Sequence, residues 1–147
     1  MMNEARVFQW AGISFGEQET YRLQKSLKKL AASKPHKSLR FFGKIYGTQS
    51  DYYVVEATGE VAEEEEEVKE EAEGEPDPML EARGAGVNEL TYYVACDALS
   101  EWKRLPDLSY KEMRAARQIK VLFTGDLERA IYTNPFFFGK EKHYLRA

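Results

Sequence analysis

Cysteine is nearly missing from this 147-residue chain: Cys96 stands alone, so no internal disulfide can form. A stapled secreted scaffold is therefore excluded, and the usage favours a reducing compartment. No C-x-x-C spacing exists, which removes the common zinc arrangements. Histidine is almost as scarce. His36 follows Pro35 and His143 sits among Lys140, Glu141 and Lys142, far apart and without a signature neighbourhood, so both read as surface residues. Cys96 falls in a stretch of alternating burial and reads as an inert thiol rather than a nucleophile. No apolar run approaches the roughly 20 residues a bilayer-spanning helix needs. The opening MMNEARVFQWAG has no long apolar segment, so no cleaved leader is expected. Gly43-Lys44 is followed by Ile45, where a phosphate-binding P-loop requires serine or threonine.

What the chain has is core-forming residues and divided charge. It is 43% hydrophobic and 31% charged. At this length a single domain over residues 1–147 is expected, burying roughly 68–70% of its unfolded surface. The net charge of −4 hides two opposite parts. Residues 60–81 hold twelve acids against Lys69, so that stretch is −11 and the remainder of the chain is +7. The acids lack the fixed offsets and turn glycine of a calcium loop. A solvated polyanion also gives no carboxylate the burial or fixed neighbour that acid–base work requires. With no aromatics among them, and with glycines and prolines between, residues 58–89 read as a disordered acidic insertion.

Along the rest of the chain the periodicity alternates between helix and strand. Leu23, Leu27 and Leu30 form one stripe at helical spacing, with Ser14 and Glu17 at capping-box spacing before it and Pro35 after it. LRFFGKIYGTQSDYYVVEA, residues 39–57, then alternates at period two on both sides of a five-residue turn, which predicts a hairpin, and Gly43 predicts a bulge. LTYYVAC, residues 90–96, predicts a third strand paired with it. Trp102 and Leu105-Pro106 read as irregular. Ser109 and Glu112 repeat the capping signal, and Met113, Ala116, Ile119 and Phe123 predict a helix ending before Gly125. The fold class is α+β: a small antiparallel sheet, hairpin 39–57 plus strand 90–96, flanked by helices and interrupted by the insertion.

No catalytic, cofactor or metal set emerges, so the chemistry to explain is aromatic surface. Both faces of the hairpin carry apolar groups. One face packs on the leucine helix, and the other needs cover from the rest of the chain or from a partner. Alternation places Phe42, Tyr46 and Tyr53 on the uncovered face, as candidates for a partner interface. Phe136, Phe137 and Phe138 cannot all face one core; they form either an exposed interface patch or a loop wedged under the body. A single-stranded nucleic-acid module, using the aromatic hairpin with Arg40 and Lys44, is the alternative. The adjacent acidic stretch argues against nucleic acid, and an enzyme would require an unforeseen pairing of Cys96 with a histidine.

The ordered blocks LRFFGKIYGTQSDYYVVEA, NELTYYVACD, Trp102 with Leu105-Pro106, ARQIKVLFTGDL and NPFFFGKEKHYLRA together resemble the radial spoke head proteins of the 4/6 type, over roughly residues 6–147. The 9-type spoke head proteins share F-x-G-x-I-x-G and DYY, and ARQIKVLFTGDL with YLRA favours 4/6. Phe42 stands where the family carries tryptophan, and Phe136–Phe138 where it carries a proline-containing PPFPG. The resemblance implies a shortened or partial member of the family. It implies a non-enzymatic structural subunit in the axoneme of a cilium or flagellum, without cofactor or membrane contact. The implied partners are other spoke head subunits, either a 4/6-type copy or paralogue or a 9-type protein, with central pair projections as a further contact. The implied role is transmission of signals between the central pair and the dynein arms.

Overall fold

Aromatic and β-branched residues build the sheet, as the period-two spacing requires. The computed structural model describes residues 2–59 and 80–147. Strands β1 (Ser38–Ile45), β2 (Tyr52–Thr58), β3 (Thr91–Ala95) and β4 (Lys103–Arg104) form one antiparallel sheet in that order. Helices α1 (Met2–Trp10) and α2 (Glu17–Ser33) precede it, and α3 (Tyr110–Ala116) and α4 (Glu141–Arg146) follow. The third strand pairs with the hairpin as expected, Val55 opposite Tyr93 and Tyr53 opposite Ala95. The register of β1 against β2 shifts between Phe41 and Gly43, the bulge that Gly43 predicted. Because of it, Leu39 and Phe41 face α2 whereas Ile45 packs on the opposite side of the sheet.

β2 is covered on both faces. Val55 and Ala57 meet Leu30 of α2, and Tyr53 meets Leu23. On the other face Tyr52 and Val54 meet Val94, Leu105 and Leu127. The leucine stripe therefore points inward, each fully buried leucine contributing about 1.5–3 kcal/mol. The second cover that the hairpin needed comes from the chain itself, from the irregular segment between α3 and α4.

Four expectations are corrected. The capping box at Ser14 and Glu17 is absent: Gly16 caps α2 without a side-chain bond, and Ser14 Oγ accepts from the Gly16 amide instead. The segment after Trp102 contains β4, while Trp102 donates its indole N–H to Ser26 Oγ at 2.7 Å. The helix after Ser109 stops at Ala116; Ile119 still joins Ala116 in one cluster, but Phe123 joins another. There the Tyr144 hydroxyl accepts from the Val121 amide, giving the unwound backbone a side-chain partner. Finally, the insertion expected over 58–89 overlaps structured residues: Thr58 closes β2, and Gly86–Asn88 form a 3-10 turn with Asn88 buried. Residues 60–79 of that expectation lie outside the described residues. α1 was not anticipated at all.

The capping box at Ser109 is realised in full, with Ser109 Oγ accepting from the Glu112 amide and Glu112 accepting from the Ser109 amide. Ser109→Ala is expected to lower stability by about 1 kcal/mol, measured by urea unfolding; an unchanged midpoint would show that α3 is held by packing alone.

Candidate protein-interaction surface

Three polar hubs position the surface by using up interior charge. Glu141 opens α4 and is 1% exposed. Its Oε1 accepts from the Tyr52 hydroxyl at 2.8 Å, the Thr124 amide at 2.8 Å and the Gly125 amide at 3.1 Å. Its Oε2 accepts from the Thr124 hydroxyl at 2.7 Å, and Arg129 Nη1 lies 3.6 Å away. Burial pushes this carboxyl upward, but the bonds from Thr124, Tyr52 and Gly125 outweigh it and hold it below the ordinary carboxylate range. Burial and the bond to Glu141 push the Tyr52 hydroxyl up. Gly125 is required in this loop: its φ is +100°, and a Cβ there would lie 2.0 Å from Ser50 Oγ. Thr48 and Gln49 donate their amides to the carbonyls of Phe123 and Thr124, which pins the hairpin turn to the same loop.

Lys44 is the second hub. Its ammonium pairs with Glu19 at 3.0 Å and Asp51 at 3.2 Å and lies 5.0 Å from the Tyr53 ring centroid, with Tyr46 and Phe15 farther out. Burial alone would lower its pKa, but the bonds to Glu19, Tyr53 and Asp51 outweigh it and raise it. At the third hub Asn88 donates to Leu108 O at 3.1 Å and accepts from the Leu108 amide at 2.8 Å. Arg146 donates to Val87 O at 2.8 Å and stacks 4.7 Å above the Tyr92 ring. The tail is thereby bonded to the segment that leads into β3.

Among the six aromatic residues expected at an interface, four are on the surface: Phe42, Tyr46, Phe136 and Phe138 are 59%, 75%, 57% and 75% exposed. Two are not, which corrects the expectation. Tyr53 lies in the central strand beneath α2, its hydroxyl donating to Glu19, and Phe137 sits in the cluster of Ala116, Ile119 and Ile131. The hairpin has one uncovered flank rather than a whole uncovered face, because β2 is internal to the sheet. Phe136 and Phe138 project either side of the buried Phe137 and meet edge to face at 5.5 Å. The sequence reading missed Val7, Phe8, Trp10 and Ile13 at α1, together with Leu122 and Tyr132, all exposed. Four aromatic or branched residues within thirteen were the available signal. The histidines are half-buried rather than superficial: His36 lies against the Tyr93 ring, and His143 Nδ1 accepts from the Lys140 amide. The Cys96 thiol is pushed up by burial and points to Gly125 O at 3.5 Å. Among the described residues no group of three or more His, Cys, Asp or Glu is placed to hold a metal, and no helix is long and apolar enough to cross a membrane.

An internally cross-linked α+β frame defines the class: a small α+β domain with exposed aromatic side chains. The chain belongs to the radial spokehead-like protein family, whose model matches residues 1–82 and 75–147. It is 35% identical over 173 residues to radial spoke head protein 4 homolog A of Homo sapiens, an alignment spanning all of this chain and 24% of that protein. It is 34% identical to radial spoke head protein 6 homolog A of Xenopus tropicalis and to flagellar radial spoke protein 4 of Chlamydomonas reinhardtii, again over the whole chain, and over 33% and 34% of those proteins. The chain thus spans about a quarter to a third of the length of these relatives. Radial spoke head proteins are axonemal components of cilia and flagella.

Proposed function

We propose that the chain is a non-enzymatic structural subunit of the radial spoke head, assembling with other spoke head components through its exposed aromatic residues. Candidate partners are a 4/6-type copy or paralogue, a 9-type protein and central pair projections, and the role is to carry signals between the central pair and the dynein arms. One observation supports this most: the interior charges are engaged within the frame, whereas Phe42, Tyr46, Phe136 and Phe138 are left outside it. Large aromatics held on a rigid frame supply contact area at low entropic cost. The nucleic-acid alternative is weakened by the same geometry, since Lys44 pairs with Glu19 and Asp51 and Arg40 pairs with Glu56.

Phe42→Ser combined with Tyr46→Ser tests the reading. Exposed substitutions of this kind shift stability by about 0.5 kcal/mol each, so the isolated chain should keep its thermal midpoint within a few degrees. Its recovery of spoke head subunits from detergent-extracted axonemes should fall about tenfold or more, the equivalent of 1.4 kcal/mol. Equal recovery by the variant and the wild type would remove this surface from the assembly.

A further inference from the structure

β1 is the outer strand of the sheet order, and no described residue pairs with its free side. A trough of 910 Å³ runs along this strand between α1 and α2. Leu27 and Ala31 of α2 and Leu39 and Phe41 of β1 line its floor, and Phe8 and Ile13 line the far wall. Both wall residues are more than half exposed, so the described residues leave them largely uncovered. Charge on this side is mainly positive. From Arg22 to Lys44 the sequence has eight lysines and arginines and no acid. Lys25, Lys28 and Lys29 are exposed along α2, and Lys28 lines the trough, where Glu4 is the one carboxylate among the described lining residues; Arg40 contributes backbone there, its side chain pairing with Glu56 on the other face.

We infer that this trough is the docking site for an extended, acidic segment of a partner polypeptide, which adds a strand to the free edge of β1. The inference rests on the assembly reading above and names the chemistry of the partner. Three features converge. A free edge offers unpaired backbone groups that an extended segment satisfies. Leu39 and Phe41 stand two residues apart on the trough side, so they match apolar residues at alternate positions of the added strand. Lys28, with the exposed Lys25 and Lys29 beside it on α2, then meets carboxylates on the same segment.

The charge also excludes another occupant. Two copies of β1 meeting edge to edge would bring two acid-free stretches together, the usual way in which lysine-rich edges prevent self-pairing. The bulge between Phe41 and Gly43 further confines regular pairing to the Ser38–Phe41 portion. A nucleic-acid strand would satisfy the lysines but not the aliphatic floor, and it would leave the β1 backbone groups without partners.

The test uses the purified 147-residue chain and a fluorescein-labelled synthetic peptide alternating leucine and glutamate. Saturable binding is expected by polarisation, together with slowed amide exchange in Ser38–Phe41. Ala31→Glu places a carboxylate on the trough floor at an exposed helix position, and Lys28→Glu reverses the lysine's charge; each is expected to weaken binding about tenfold while the circular dichroism melt is retained. Absence of binding, indifference to both substitutions, or binding without β1 protection would overturn the inference. So would equal binding of a leucine–lysine peptide or of oligothymidylate. If the peptide fails while the chain still recovers spoke head subunits from axonemes, the trough assignment falls and the assembly reading stands.

Discussion

Glu141→Ala is expected to cost about 3–5 kcal/mol, because it strands several buried donors at once. The Tyr52 hydroxyl and the amides of Thr124 and Gly125 all lose their acceptor. These groups belong to the central strand and the loop that holds the hairpin turn, so α4, the sheet and the turn lose their junction together. For a chain of this size, the thermal midpoint should fall by about 10–15 °C. Glu141→Gln keeps one acceptor oxygen and should lie between the two. The pH dependence has a definite sign. Glu141 is held below its ordinary pKa in the folded state, so its contribution is present above the unfolded value, about 4.3, and is lost as pH falls through the folded one. Glu128, held down to about 2 by Lys140 and Lys142, acts in the same direction but is half-exposed and therefore contributes little. Urea unfolding between neutral and acid pH should thus be steeper in pH for the wild type than for Glu141→Gln. A Glu141→Ala midpoint indistinguishable from wild type would refute the hub.

This hub shows what was legible in the sequence and what was not. Period two in residues 39–57 and 90–96 revealed three strands, the bulge at Gly43 and their pairing, because strand burial is written locally. The blocks ARQIKVLFTGDL and NPFFFGKEKHYLRA were legible as a resemblance, but their joint purpose was not. The bond from Thr124 to Glu141 links positions 17 apart in sequence through a loop with no periodicity. Helical spacing misled at Phe123 for the same reason: the backbone beyond Ala116 finds partners in the tail, including the Tyr144 hydroxyl, and no longer needs a helix. Tyr53 was misplaced because alternation tells which residues share a face but not whether that face is covered, and α2 covers it. α1 escaped notice because its apolar residues lie outside any core.

Phe137→Ala is expected to cost about 3–5 kcal/mol, while Phe136→Ala and Phe138→Ala each stay within about 0.5 kcal/mol. Phe137 is 1% exposed and fills the cluster of Ala116, Ile119 and Ile131, with the Tyr144 ring edge-on at 5.8 Å. Tyr144 meets Phe123 at 5.4 Å, and Phe123 meets Tyr52 at 6.2 Å, so a row of rings joins this cluster to β2. Removing Phe137 leaves a void at the end of that row, among Ala116, Ile119 and Ile131. The flanking rings contact each other and solvent, so their loss leaves the interior intact. Three adjacent residues of one type therefore separate two requirements. The middle one should register in urea unfolding of the isolated chain, and the outer two in recovery of spoke head subunits from axonemes. Equal unfolding costs at all three positions would contradict this division and return Phe136 and Phe138 to the core.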